Sequence, residues 1–151
     1  RVRSSAASDV YKRQVRLLAR VAALSEFLAT ADGSNLLLAD RRASNIVAIE
    51  EKRDGRSYDG AIDPNLLRAP EEHELARRLD EVGSSAAAAL AREDFRDAMA
   101  ELAALRPQVD AFFDKVTVNT DAAPLRENRL RLLSRIRSTL NEVADFSRIE
   151  G

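Results

Sequence analysis

The chain has 151 residues, of which 45% are hydrophobic and 32% charged, and its formal net charge is −1. Alanine and leucine are abundant while glycine, proline and aromatic residues are scarce, which is the composition of a helical bundle. The lack of cysteine excludes disulfides and a thiolate metal site, and no apolar run is long enough to span a membrane. Because the net charge is near zero, a basic surface could arise only where positive residues are locally concentrated.

The first 14 residues differ in character from the rest. They contain arginine and serine but lack the apolar segment of a secretory signal, and on composition they would also suit a transit peptide. The stretch SSAASDVYKRQ resembles a translated sequencing adapter of the kind found at the ends of metagenomic reading frames. We therefore expect residues 1–14 to be a non-native or disordered prefix and residues 15–151 to form the domain.

Apolar residues at helical spacing predict two helices before a long loop. The first, VRLLARVAALSEFLA, is predicted to turn four apolar residues inward: Leu17, Val21, Leu24 and Leu28. TADGS ends it, and Ser34 is predicted to cap the second helix, NLLLADRRASNIVAIEE. The inner residues of this helix are predicted to be Leu36, Ala39, Ala43 and Ile46. KRDGRSYDGAIDPNLLRAP then reads as a loop long enough to be functional or disordered.

Four more helices are predicted after the loop, which gives an all-α bundle of about six helices. The third starts at EEHELARR with an interruption at Gly83, and its inner residues are Leu75, Leu79 and Val82. The inner residues of the fourth, FRDAMAELAAL, are Phe95, Met99, Leu102 and Leu105. Pro107 opens a short fifth helix, and Pro124 opens the last and longest, which is predicted to end near Ala144.

One arginine lies within the apolar stripe of the last helix. The stripe consists of residues at helical spacing around Arg129: Leu125, Leu132, Leu133, Ile136, Leu140 and Val143. Because a guanidinium keeps its proton, an inward arginine needs carboxylate or carbonyl partners. We expect Arg129 to lock the fifth helix onto the last through Asp110 or Asp114, with Asp145 as a further partner. The alternative is that Arg129 extends past the leucines into solvent.

The other arginines of the last helix give it a local excess of positive charge. Arg126, Arg131, Arg135 and Arg137 lie on its flanks and back, with Glu127 as the one acid in the same stretch. Two interpretations remain open. The arginines contact the phosphate groups of a nucleic acid, or they form a solvated helix face.

No catalytic group stands out in the sequence. His73 is the only histidine, which excludes a two-histidine metal site, and the scattered glycines form no phosphate-binding loop. The acids near His73 alternate with arginines, as on a solvated face. Asp110 and Asp114 would suit acid–base chemistry in principle, but their position beside two phenylalanines favours a structural role.

Several motifs in order resemble the C-terminal end of the β subunit of bacterial glycyl-tRNA synthetases. RPQVDAFFD is similar to the family's Arg-Pro-x-Val-Asp-x-Phe-Phe-Asp, LRENRLRLL to its Leu-Arg-x-Asn-Arg-Leu-x-Leu-Leu, and VADFS to its Val-Ala-Asp with a closing serine. ADRRASNI resembles the family's Ala-Asn-Lys-Arg-Val-x-Asn-Ile, and IDPNLL and EEHELA follow in the family's order. The resemblance covers residues 15–151. It departs at VTVNTD, where the family has a methionine-containing turn, and at Pro124, where alanine is more frequent.

This resemblance implies an anticodon-binding domain, a DALR-like helical bundle similar to that of some class I synthetases. The chain would be the C-terminal fragment of a larger subunit in a cytoplasmic α2β2 glycine–tRNA ligase, which uses ATP and Mg at a site in the α subunit. The implied partners are tRNA specific for glycine and the α subunit. The resemblance implies no binding to a membrane or to DNA. The chain would carry no catalytic residue, metal or cofactor of its own.

Reading an anticodon requires contacts to unpaired bases and to their phosphates, and with few aromatic residues we expect hydrogen bonds and charge to dominate. Two candidate surfaces follow, the second helix with Arg41, Arg42 and Asn45, and the flank of the last helix with Arg126, Arg131 and Arg135. Packing between helices is the alternative role for the first surface. The competing hypothesis for the whole chain is an interaction module that docks onto the α subunit or the rest of β without contacting RNA.

Overall fold

In the computed structural model, which describes residues 2–145, the chain forms six α-helices and one short 3-10 turn. The elements are α1 (Val2–Leu28), α2 (Ala31–Asp54), the 3-10 turn (Pro64–Leu66), α3 (Pro70–Ala91), α4 (Phe95–Ala103), α5 (Arg106–Lys115) and α6 (Ala123–Ala144). The described range contains no β-strand. The predicted all-α bundle of about six helices is therefore confirmed, while Ser147, the closing serine of the resemblance, lies outside the described residues.

The first helix packs only through its C-terminal part. It runs without a break through the region set apart as a prefix, and every described side chain from residue 6 to residue 19 is exposed. The buried residues are Ala23 and Phe27, whereas Leu17 and Val21 are more than half exposed. The other two predicted inner residues, Leu24 and Leu28, pack partly buried against the core. The prediction was therefore wrong only for Leu17 and Val21, because the crossing with α2 and α4 covers the C-terminal part of the helix. The boundary at residue 15 stays a prediction.

A tight crossing joins α1 to α2. Thr30 caps α2, since its hydroxyl oxygen accepts a hydrogen bond from the Gly33 amide at 3.0 Å. The cap was predicted at Ser34, four residues too late. A Cβ at Gly33 would lie 1.9 Å from the carbonyl oxygen of Phe27, so only glycine allows the two backbones to approach this closely.

The core lies between the inner faces of α2, α3 and α6, with α4 and α5 closing it. The predicted inner residues of α3 are all fully buried, and α3 passes through Gly83 without interruption. In α2 the inner residues end with Val47 instead of Ile46, which is only partly buried. On α6 five of the six predicted stripe residues are buried: Leu132, Leu133, Ile136, Leu140 and Val143. Burying each such leucine contributes about 1.5–3 kcal/mol to folding.

The long loop between α2 and α3 lies over α6 and is anchored at both ends. Gly55 ends α2 in the left-handed conformation, with φ of 64°. Tyr58 is then buried, and after the 3-10 turn Leu67 is buried as well. Residues 57–62, which include the first anchor, stay close to one face of α6. Their position creates the groove described below.

Candidate nucleic-acid interface

The first polar side chain of α6, Arg126, lies in a cluster of opposite charges. Its guanidinium donates hydrogen bonds to the carboxylates of Glu50 and, at 2.7 Å, Asp54, and to the amide oxygen of Asn119 at 3.0 Å. The hydroxyl of buried Tyr58 donates to the same Asp54 oxygen at 2.6 Å. Hydrogen bonds from Tyr58 and Arg126 hold the pKa of Asp54 below its ordinary value.

The surroundings of Arg126 bear on its predicted contact with RNA, which stays a prediction. The side chain is only 16% exposed, and two carboxylates balance its charge. A phosphate group would have to displace these partners to reach the guanidinium. The structure therefore places Arg126 in the attachment of α6 to the C-terminal end of α2, and separates it from the arginines that remain accessible.

The next polar residue, Asn128, holds the loop. Its side chain is fully buried. The amide oxygen accepts a hydrogen bond from the Asp63 backbone N–H at 2.8 Å, and the amide nitrogen donates to the Asp63 carbonyl at 3.1 Å. Both backbone groups of Asp63 are thus satisfied by one side chain. This pairing fixes the loop against α6 just before the 3-10 turn.

The inward arginine, Arg129, pairs with a carboxylate that the sequence did not single out. Its guanidinium donates to Oε1 of Glu72 on α3 at 2.8 Å and to the carbonyl of Thr117 at 2.8 Å. The Arg129 side chain is 11% exposed and that of Glu72 is 0% exposed. The same Glu72 oxygen accepts a hydrogen bond from the Ala69 amide at 3.0 Å. This contact joins α6 to the start of α3 and to the connection between α5 and α6.

The expected partners of Arg129 were wrong. Asp110 instead accepts from Arg106 at 3.4 Å and Asp114 lies 3.6 Å from Lys115, and both aspartates are exposed. The physical reason is the orientation of α5, which buries Val109 and Phe112 and therefore turns the two aspartates outward.

Further along α6, one face forms a polar groove with the loop. Two adjoining cavities of about 220 and 390 Å³ lie there. Both are lined by Asp59, Ser134 and Ser138, and Glu51 of α2 also lines the larger one. The residues that α6 contributes recur at helical spacing and are Arg131, Ser134, Arg135, Arg137, Ser138 and Asn141. We call this surface, with loop residues 57–62, the basic groove.

The guanidinium groups in the basic groove remain able to bind an anion. The Nε of Arg131 is buried without a hydrogen-bond partner among the described residues. Arg135 pairs with Asp80 at 2.8 Å, but both side chains are well exposed, and such pairs contribute little and exchange readily. Gly60 packs against the guanidinium of Arg131, since a Cβ there would lie in ordinary contact with its Nε at 3.4 Å. Guanidinium and hydroxyl donors in this arrangement suit phosphate oxygens.

The sequence predicted part of the basic groove and missed part of it. Arg131 and Arg135 were both predicted, and the structure brings them together with Arg137. Ser134 and Ser138 were missed, although their spacing from Arg131 places them on the same helix face. The loop residues could not be found in this way, because Asn128 and Tyr58 determine where the loop lies.

The candidate residues on α2 are all exposed, but the two arginines diverge. Asp40 accepts a hydrogen bond from Asn141 at 2.8 Å. Burial raises the pKa of Asp40, and the hydrogen bond from Asn141 and the charges of Arg137 and Arg41 oppose that rise. Arg42 has its guanidinium 4.4 Å from the ring centre of Phe113 on α5.

The described residues offer neither a metal-binding cluster nor a membrane-spanning helix. Across residues 2–145 no group of three histidine, cysteine, aspartate or glutamate side chains is placed to hold a metal ion. None of the helices in that range has the length and apolar character that a bilayer span requires. His73 lies on the exposed side of α3.

The structure defines an all-helical domain whose groove presents arginine and serine side chains, an arrangement that suits phosphate-bearing ligands. The DALR anticodon binding domain family matches residues 37–149, a range that contains α2 from its second turn, the loop and all of α6. The chain belongs to this family.

Named relatives agree with the family. The chain is 62% identical over 138 residues to the glycine–tRNA ligase beta subunit of Rhodospirillum centenum. The aligned region covers 91% of this chain and 19% of that protein. It is 48% identical to the protein of the same name from Phenylobacterium zucineum, over 91% of this chain and 20% of that protein. It is 46% identical to the protein of the same name from Cereibacter sphaeroides, over 89% of this chain and 19% of that protein. The resemblance stated from the motifs is confirmed, and the chain spans about a fifth of these relatives' length.

Proposed function

We propose that this chain is the anticodon-binding domain of a glycine–tRNA ligase β subunit, and that it binds tRNA specific for glycine through the basic groove. The observation that carries the proposal is the set of arginines and serines on one face of α6, inside the segment that matches the anticodon-binding family. Arg131 and Arg135 would grip the RNA backbone, because guanidinium groups match phosphate oxygens in charge and geometry.

The wider reaction would take place elsewhere in the enzyme. In this proposal the domain supports ATP-dependent glycyl-tRNA synthesis in the cytoplasm, within an α2β2 assembly whose α subunit holds the ATP and Mg site. The domain itself would contribute no catalytic residue and bind no cofactor, and its role would be to position the tRNA.

A binding titration tests the proposal. The 151-residue chain is titrated with a transcript of glycine-accepting tRNA and with a transcript altered only in the anticodon, at several salt concentrations. We expect tighter binding of the unaltered transcript and an affinity that falls with salt, as phosphate contacts require. Equal affinity for both transcripts would contradict anticodon recognition, and absence of binding in dilute buffer would contradict RNA binding altogether.

A second function is favoured by the exposed face of α1. Three large apolar residues there, Leu17, Leu18 and Val21, are more than half exposed. Exposed apolar residues in one stretch are typical of a surface that another protein covers. The domain would then dock onto the α subunit or the remainder of β. Tight binding to the purified α subunit together with no affinity for the tRNA would favour this function over the first.

A further inference from the structure

The guanidinium of Arg42 lies over an aromatic ring at the edge of the domain. Its central carbon is 4.4 Å from the ring centre of Phe113, a distance at which the cation is attracted to the face of the ring. Phe113 meets Phe112 edge to face, with ring centres 5.9 Å apart and planes at 75°. Phe112 is fully buried, so its contact orients the Phe113 ring on which Arg42 lies.

The charge of Arg42 is not neutralised by a neighbouring acid. Among the described residues no carboxylate pairs with it, in contrast to Arg106 and Arg126 on neighbouring helices, which each bind carboxylates. Arg42 is exposed while Phe113 is half-buried. One face of the guanidinium is therefore covered by the ring, and its other face is turned to solvent.

The surroundings of Arg42 on α2 form a short exposed stripe. Leu38, Arg42, Asn45 and Ile49 follow one another at intervals of four, three and four residues, so they lie along one side of the helix. Leu38 is 60% exposed and Ile49 is 64% exposed, which is unusual for large apolar residues. An apolar residue, a flat cation and an amide in a row match the surface of an unpaired nucleobase, which has two flat faces and a hydrogen-bonding edge.

We propose that Arg42 stacked on Phe113 is a platform for one unpaired base of the bound RNA, and that the amide of Asn45 reads the edge of that base. This assignment rests on the proposed function. In this assignment, phosphate binding and base binding take place on two different sides of α2, which packs against both α5 and α6. Phosphates lie in the basic groove on the α6 side, and a base stacks on the α5 side. The planar guanidinium is essential here, because a lysine ammonium keeps the charge but offers no flat face.

The conservative variant Arg42→Lys separates stacking from charge. Binding of glycine-accepting tRNA transcript is measured for wild type and variant over a range of salt concentrations. We expect about fivefold or greater loss of affinity, the effect of losing one stacked base, with the slope of log affinity against log salt unchanged. The matched control is Arg96→Lys, an exposed arginine on α4 whose replacement should leave affinity unchanged.

Changing the RNA instead of the protein provides a test that does not depend on folding. Transcripts with a single abasic nucleotide are prepared at each position of the anticodon loop. One of them should bind wild type about fivefold more weakly, and Arg42→Lys should lose nothing further on that transcript alone. Phe113→Leu should reproduce the loss, with thermal melting used to confirm that the variant is folded.

The outcomes distinguish this inference from the function beneath it. The platform is refuted if Arg42→Lys binds as tightly as wild type, or if its loss is the same on every abasic transcript. If Arg42→Lys binds as tightly as wild type while variants of Arg131 and Arg135 still weaken binding, the anticodon-binding function stands and only the platform fails. If wild type binds no tRNA, the function itself fails and the stripe on α2 is a surface for a protein.

Discussion

Arg129 on α6 and Glu72 on α3 form a buried ion pair of 2.8 Å that also caps a helix. Oε1 of Glu72 accepts hydrogen bonds from the guanidinium and from the backbone amides of Ala69 at 3.0 Å and Arg68 at 3.3 Å. The Ala69 amide belongs to the N-cap residue of α3, and its bond to Glu72 is part of a capping box. One carboxylate therefore serves the first turn of α3 and the attachment of α6 at the same time.

Removal of the cation should destabilise the domain strongly. In Arg129→Met the buried carboxylate of Glu72 loses its charged partner, and breaking a buried pair costs about 3–5 kcal/mol. Urea denaturation measures the free energy of unfolding. The matched control is Arg135→Met, because Arg135 forms an exposed pair with Asp80 and should cost less than about 1 kcal/mol. Equal losses in the two variants would contradict a structural role for Arg129.

The ion pair should also make stability depend on pH in the acid range. Burial raises the pKa of Glu72, but hydrogen bonds from Arg129 and the Ala69 amide outweigh it, so the pKa lies below the ordinary 4.5. The unfolded chain then takes up a proton before the folded one does. The stabilisation is complete above the unfolded pKa and is lost as pH falls through the folded pKa.

The measurement is the free energy of unfolding from about pH 7 to about pH 3. Glu72→Gln should flatten the acid limb of the curve, so the wild type and the variant converge as pH falls. A constant difference between them over the whole range would show that folding does not change the pKa of Glu72, and it would contradict the stabilising role of the ion pair.

Helical periodicity predicted most of the fold, and it failed where two faces of a helix were equally apolar. The inner residues of α3 were found correctly, and so were those of α6 apart from Leu125, which is only partly buried, and Leu130, which was missed. In α1 the residues Leu17 and Val21 compete with Ala23 and Phe27. The choice between these faces is made by the close approach of Phe27 to Gly33, a contact that no spacing reveals.

In the site, too, the sequence predicted what depends on neighbouring residues but not which distant residues come into contact. The sequence predicted that an inward arginine would meet a carboxylate, which follows from the physics of burial. It could not name Glu72, because an acid in the first turn of a helix is equally well explained by the helix dipole. The two residues are 57 positions apart. Likewise, the neutralisation of Arg126 depends on Glu50 and Asp54, which the fold brings to it from α2.

Two glycines in helices should respond in opposite directions to alanine. In Gly33→Ala the new Cβ would meet the Phe27 carbonyl at 1.9 Å, and the backbone there must shift, at a cost of about 1–3 kcal/mol. In Gly83→Ala the Cβ meets nothing within 4 Å, so the higher helix propensity of alanine should stabilise by about 0.5–1 kcal/mol. Thermal melting compares them directly. A lower melting temperature for Gly83→Ala would contradict the open space beside α3.

Accessible and neutralised arginines of α6 should differ in how they affect RNA binding. Arg131→Ala with Arg135→Ala removes two cations from the basic groove, and the slope of log affinity against log salt should fall by about 2. Arg126→Met should lower the free energy of unfolding but leave that slope unchanged, because two carboxylates already balance its charge. The control is Arg77→Ala, an exposed arginine on α3 paired with Glu74 and Glu81. If the groove variant and Arg77→Ala change the slope equally, the RNA does not occupy the groove, and the attraction arises from the charge of the whole surface.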